Sequence, residues 1–189
     1  MIMPEDDDEE EDYEEEEEEE EILEKTIPKR QIKKFDIHSL KAERTLVLLG
    51  ARATGKSVLS EKIFSVVSNQ FDIGFGMTRT HDTAKNWQKY IADSLIYNNG
   101  VDKDELKNIV EGLRALTETE DASGILKVFG ILDDVTSDAG MLKTDVIKDI
   151  YNNGRHYHIF FVLLMQYLVS MGPEIRGQVD YWFVMRNTV

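Results

Sequence analysis

The octapeptide GARATGKS, residues 50–57, constrains this chain more than any other feature. It fits the pattern G-x-x-x-x-G-K-[ST], a loop whose backbone N–H groups turn inward around phosphate. Such a loop works only between a strand and a helix, and the flanking sequence supplies both. Residues 45–49, TLVLL, are continuously apolar, as in a strand buried on both faces of a sheet. In residues 57–69, Leu59, Ile63, Val66 and Val67 share one helical face. Glycines at 50 and 55 let the backbone wrap, and the helix N-terminus adds partial positive charge. The spacing therefore assigns nucleotide binding to Gly50, Ala51, Arg52, Ala53, Thr54, Gly55, Lys56 and Ser57. Lys56 is directed at the β- and γ-phosphates of ATP and the Ser57 hydroxyl at Mg²⁺.

Beyond the loop, strand and helix patterns alternate. Residues 71–77, 127–132, 158–166 and 181–185 read as further strands, and 82–98, 102–116 and 140–152 as helices. A Gly-Pro turn is expected at 172–173. Such alternation predicts an α/β fold, a parallel sheet covered by helices on both faces. There is no internal repeat and no sign of a second core.

Two further polar positions stand where apolar strands end. VFGILDD, residues 128–134, closes on adjacent carboxylates. In a phosphate-loop enzyme that place holds Mg²⁺, usually through water, so Asp133 is the expected metal-side carboxylate. Asp134 follows as the group that orients and polarises an attacking water. The run Ile159–Met165 is wholly apolar and closes on Gln166. If this strand lies between the loop-bearing strand and the acid-bearing one, its carboxyl end stands beside the loop. Gln166 then faces the γ-phosphate, where an amide distinguishes ATP from ADP.

Charge needs one correction before it is interpreted. The formal net charge of −15 argues at first against a nucleic-acid partner. Residues 5–21, however, hold 16 of the 37 acidic residues, which leaves 21 acids against 22 bases in the body. A block of like charge has nothing apolar to bury. Residues 1–21 are therefore expected to be a disordered acidic tail, either merely solvating or acting as an electrostatic mimic of DNA or a lure for basic proteins. Residues 22–44 read as a linker or edge segment, and 45–189 as the folded domain. With no cysteine, neither a disulfide framework nor a thiolate metal site is available. The N-terminus lacks a basic-then-apolar signal, and the longest apolar run is too short to span a bilayer. The expectation is an intracellular-type protein with no membrane insertion.

Together these motifs resemble the FtsK–HerA type of P-loop ATPases. They look most like the genome-packaging ATPases of nucleocytoplasmic large DNA viruses, such as poxviruses and mimivirus relatives. GARATGKS, GMTRTHDTAKNWQKYIADSLIYN, ILDDVTSD, GRHYHIFFVLLMQ and PEIRGQVDYWFVMRN carry the resemblance over residues 46–187. It implies a three-layer RecA-like domain with strand order 5-1-4-3-2, counting the five expected strands along the chain. It also implies ATP hydrolysis with Mg²⁺, coupled to moving double-stranded DNA by a homo-oligomeric ring. A capsid or portal-type viral protein is an implied partner, and the host cytoplasm (viral factory) or the virion an implied location. Arg155 matches the arginine of the family's G-R motif, read as a finger into a neighbouring subunit's site. A cap on the preceding helix is the alternative. Arg176 is a weaker candidate for inter-subunit contact, and residues 136–141 are a candidate pore loop with Lys143 nearby.

Two departures stand out. The family usually places glutamate after the metal aspartate, where this chain has Asp134. Members also generally continue beyond a point equivalent to Val189, so the chain is expected to be a short or truncated form. A nucleotide kinase remains an alternative, although no arginine-rich lid is present. A nucleotide-switched binding module remains another.

Overall fold

The computed structural model describes residues 33–119, 125–135 and 140–186. The acidic stretch 5–21 and four residues of the candidate pore loop, 136–139, lie outside the described residues. A first unit, residues 1–35, lies almost wholly outside them, and residues from Asp36 onward form one compact unit.

Six strands build a single parallel sheet: β1 (Thr45–Leu49), β2 (Ile73–Met77), β3 (Ile96–Tyr97), β4 (Val128–Leu132), β5 (Ile159–Met165) and β6 (Tyr181–Val184). Their order is β3-β2-β4-β5-β1-β6. The five expected strands stand in the expected relative order, and β3 extends the sheet by one at its far edge. The register sets Leu49 of β1 opposite Met165 of β5, and Leu132 of β4 opposite Leu163. The ends of these three strands therefore open on one side of the sheet.

Alternation along the strands builds two cores. In β1, Val47 joins one cluster while Leu46 and Leu48 join the other. In β5, Ile159, Phe161, Leu163 and Met165 face the first, and Phe160, Val162 and Leu164 the second. All seven residues of β5 are buried, as its unbroken apolar sequence requires. Helix α1 (Lys56–Val67) and the short α2 (His81–Trp87) cover one face through Ile63, Phe64, Val67 and Trp87. The opposite face is covered by α3 (Lys103–Thr119) and α4 (Asp145–Asn153), through Leu106, Val110, Ile147 and Ile150. A last short helix, α5 (Pro173–Arg176), adds Ile175 to that core.

Three local expectations are corrected. The helix expected over 82–98 stops at Trp87, and the chain then turns through Asp93–Leu95 into β3. Ala84, Trp87 and Ile91 are buried as helical spacing requires. That spacing is equally met by helix, turn and strand, because β2 leaves an edge on which Ile96 and Tyr97 pair with Gly76 and Met77. Long-range strand pairing overrides the local period here. The helix expected over 140–152 begins as the 3₁₀ turn Met141–Lys143 and becomes α-helical only at Asp145. The Gly-Pro pair starts α5, with proline in the first turn, where its missing N–H costs nothing. Within the segment 22–44, expected as a linker or edge segment, the described part contains the 3₁₀ turn Ile37–Ser39, and Leu40 packs with Leu46 and Phe64.

Candidate active site

The loop 50–57 leaves β1 and is tied at once to β5, since the Gly50 N–H donates to the Met165 carbonyl at 3.1 Å. Thr54 Oγ1 donates to the Ala51 carbonyl at 2.8 Å and closes the turn. Gly55 caps α1 with φ of +94°, a left-handed conformation that glycine adopts without strain. Ala53 is also left-handed, at φ 59°, and a side chain there is costlier. At Gly50 the constraint is space: a Cβ would stand 2.7 Å from both Met185 Cβ and Thr54 Oγ1. No acidic residue occupies the first turn of α1, and its cap has no side chain to occupy the leading N–H groups. That end of the helix is built to receive an anion.

Lys56 Nζ bends back into the loop and donates to the carbonyls of Gly50 at 2.6 Å and Ala51 at 2.7 Å. Burial pushes its ammonium below the ordinary lysine value, while the charges of Asp133 and Asp134 oppose that shift. The loop lysine and the acidic pair therefore share one electrostatic site, although 77 residues separate Lys56 from Asp133 in sequence.

Asp133 follows β4, and its N–H donates to the Met77 carbonyl at the end of β2, 2.9 Å away. Burial raises its carboxyl above the usual carboxylate range. A hydrogen bond from the Asp134 N–H works against this, the Asp134 charge adds to it, and Lys56 and the Thr78 hydroxyl again oppose it. Asp134 has φ of 57°, and its N–H donates to Asp133 Oδ1 at 2.8 Å. Gln166, directly after β5, donates from Nε2 to Asp134 Oδ1 at 3.4 Å. The fold thus brings together the loop, the acidic pair and the glutamine, from the carboxyl ends of β1, β4 and β5.

Two neighbours of the site escaped the motif search. Thr78 is fully buried at the end of β2, donates to Asp133, and accepts from the Thr80 N–H at 3.1 Å. A polar residue closing an apolar strand, as at Asp133 and Gln166, is the signal that marks it. Met185 follows β6, and its N–H donates to the Leu49 carbonyl at 2.8 Å, which places its side chain against Gly50. A methionine in an apolar context carries no such signal.

Arg155 stands apart. It precedes β5, at the opposite end of the strand from Gln166, and Nη2 pairs with Asp180 rather than capping α4. Ser57 is exposed in the first turn of α1, and Arg52 is exposed on the loop. Arg176 is exposed on α5.

The donor set bears on the expected divalent ion. Among the described residues no three or more carboxylate or histidine groups cluster as a metal cage. Mg²⁺ is commonly held by one or two protein oxygens, with phosphates and water completing its shell. Ser57 and Asp133 fit that role.

A family model for the Poxvirus A32 protein matches residues 32–188. The chain belongs to that family. Among relatives, "Uncharacterized protein L437" of Acanthamoeba polyphaga mimivirus is 26% identical over 170 residues, 84% of this chain and 58% of that protein. "Uncharacterized protein 075L" of Invertebrate iridescent virus 6 is 25% identical over 145 residues, 76% of this chain and 54% of that protein. The chain spans little more than half the length of these relatives. Two solved structures share its fold. EssC (ATPases 2 and 3) from Geobacillus thermodenitrificans matches with a TM-score of 0.61 and 11% identity, over 78% of this chain and 33% of that one. The genome packaging NTPase B204 from Sulfolobus turreted icosahedral virus 2, in complex with ATP-gammaS, matches with a TM-score of 0.55 and 18% identity, over 78% of this chain and 77% of that one. This member of the Poxvirus A32 family thus shares the expected three-layer, RecA-like α/β fold with these two structures.

Proposed function

We propose that this member of the Poxvirus A32 family is the Mg²⁺-dependent ATPase core of a motor that moves double-stranded DNA, packaging a viral genome into a capsid. The observation that carries the reading is the meeting of Lys56, the Asp133–Asp134 pair and Gln166 at one end of the sheet. A phosphate loop alone suits many enzymes. A glutamine from the strand between loop and acids, in contact with the second acid, suits hydrolysis gated by the γ-phosphate.

In this reading Lys56 exchanges the loop carbonyls for phosphate oxygens, and the first N–H groups of α1 hold the remaining phosphate charge. Asp134 accepts a hydrogen bond from the attacking water and aligns it with the γ-phosphorus. The water oxygen bonds to phosphorus as the bridging oxygen departs with ADP. Gln166 fixes Asp134 on one side and meets the γ-phosphate on the other, so its contacts change when that phosphate leaves. Ser57 and Asp133 would hold Mg²⁺, which would supply charge neutralisation at the phosphates. Arg155 acts in a neighbouring subunit of a homo-oligomeric ring, because its own site lies at the far end of the sheet. A planar, permanently charged guanidinium suits phosphate oxygens. A capsid or portal-type protein completes the machine, in the viral factory of the host cytoplasm or in the virion.

The decisive experiment measures ATP turnover with and without double-stranded DNA for wild type, Asp134→Asn and Arg155→Ala. Stimulation that weakens as salt rises is expected, since DNA contact displaces counterions. Asp134→Asn should lower turnover by about 100-fold or more while ATP still binds. Phosphate transfer to a nucleoside acceptor in place of water would instead identify a kinase.

A further inference from the structure

Asp180, just before β6, is bound from three directions. Its Oδ2 accepts from the Thr45 N–H at 2.9 Å and from Thr45 Oγ1 at 3.2 Å. Its Oδ1 accepts from Arg44 Nη1 at 3.3 Å and from Arg155 Nη2. Its own N–H donates to the Thr45 carbonyl at 3.2 Å. The carboxylate is therefore locked to the first residue of β1 and grips Arg155 with what remains. The Asp180 side chain is 14% exposed and that of Arg155 is 55% exposed. A fixed anchor thus holds a guanidinium that still reaches solvent with its other donors, of which arginine has five.

We infer that Asp180 is the positioning residue for Arg155, tying that arginine to the strand that carries the phosphate loop. The inference rests on reading Arg155 as a group that acts in a neighbouring subunit. A free arginine samples many rotamers, and ordering it on binding costs free energy. Asp180 orders it beforehand. The tether also has a mechanical consequence. Thr45 starts β1 and Gly50 follows its end, about 17 Å further along a rigid strand. Arg155 is presented from one end of the strand whose other end holds the subunit's own nucleotide. The second arginine, Arg44, shares the carboxylate, so a single negative charge faces two positive ones.

A staple that merely joined β1 to β6 would show similar contacts, so the test must read an effect on a neighbour. Asp180→Asn chains, with their own phosphate loop intact, are mixed under assembling conditions with Lys56→Ala chains, whose Arg155 is intact, and Arg155→Ala is run as the parallel series. At full substitution Asp180→Asn is expected to lower kcat about 10- to 100-fold with KM for ATP within about twofold. In mixtures turnover should exceed the summed activities of the two variants alone, because a Lys56→Ala neighbour lends its ordered Arg155 to the intact phosphate loop of an Asp180→Asn chain. Asparagine still accepts from the Thr45 N–H, and thermal melting checks that the fold survives. If it does not, Asp180→Glu keeps the charge while displacing the guanidinium, and a smaller loss in the same trans pattern is expected. No gain over the summed activities, or unchanged kcat at full substitution, overturns the positioning role. If Lys56→Ala chains rescue Arg155→Ala but not the Asp180 variants, only this inference falls. If they do not rescue Arg155→Ala, the trans reading of Arg155 falls and this inference with it.

Discussion

The two ends of one sheet handle charge in opposite ways. At the amino end, Arg44 and Arg155 share Asp180, and Glu43 pairs with His158. At the carboxyl end, Lys56 lies on backbone carbonyls, and the neighbouring carboxylates are placed by backbone N–H groups, a threonine and an amide. Both ends hold two non-glycine residues in the left-handed region, Glu43 and His158 at one and Ala53 and Asp134 at the other. At the amino end the side chains of the two left-handed residues, Glu43 and His158, are hydrogen-bonded to each other. At the carboxyl end Ala53 has no polar side chain to do the same, and the conformation serves the loop. Strain is thus shared by both ends, whereas perturbed protonation gathers at the end where a ligand would relieve it and paired charge at the other.

Three measurements press on that contrast. The largest effect is expected from Lys56→Ala, which should reduce ATP turnover by roughly 1000-fold or more while leaving the melting temperature close to wild type. A large loss of stability would mean that Lys56 supports the loop itself and would weaken the contrast.

A smaller effect of opposite sign is expected from Asp133→Asn in nucleotide-free protein. The folded chain holds the Asp133 proton more tightly than the unfolded chain does, because burial raises its carboxyl. Its contribution to stability is present at low pH and is lost as pH rises through the folded-state value. At neutral pH the charged form therefore weighs against folding, and the neutral amide should raise the melting temperature by a few degrees. The gain should vanish on acidification, where the wild-type group is itself neutral. A melting temperature that falls at neutral pH would count against this account.

The smallest effect compares glycine at one strained position from each end. Ala53→Gly should be neutral or stabilising, by at most about 1 kcal/mol, because it relieves a left-handed alanine while loosening the unfolded chain. His158→Gly relieves similar strain but removes the pairing with Glu43, so it should be the less stable of the two. Denaturant midpoints for the two variants decide the order, and equal values would show that the pair contributes nothing.

Much of this architecture was legible before any coordinates. LVLL, after Thr45, and IFFVLLM are apolar without a break, and both proved to lie in interior strands of the sheet. GARATGKS demanded a strand before it and a helix after it, and Gly55 takes the left-handed conformation that ends the loop. The break after Trp87 was not legible, because helix, turn and edge strand bury Ala84, Trp87 and Ile91 equally well. Thr78 was passed over because its partner lies 55 residues away on a neighbouring strand. Asp180 was passed over for the same kind of reason, since Thr45 and Arg44 reach it only once β6 has paired with β1.

By itself, the sequence determined five of the six strands, most helices, the phosphate loop and the polar residues that end β4 and β5. Those features depend on periodicity, side-chain size and backbone sterics, which act over a few residues and are written locally. Only the tertiary structure decided that Gln166 touches Asp134, that Thr78 supports Asp133, and that Arg155 is held by Asp180 at the far end of the sheet. Each of those contacts joins segments dozens of residues apart. Their geometry exists only when strand order and register bring the segments within hydrogen-bonding distance.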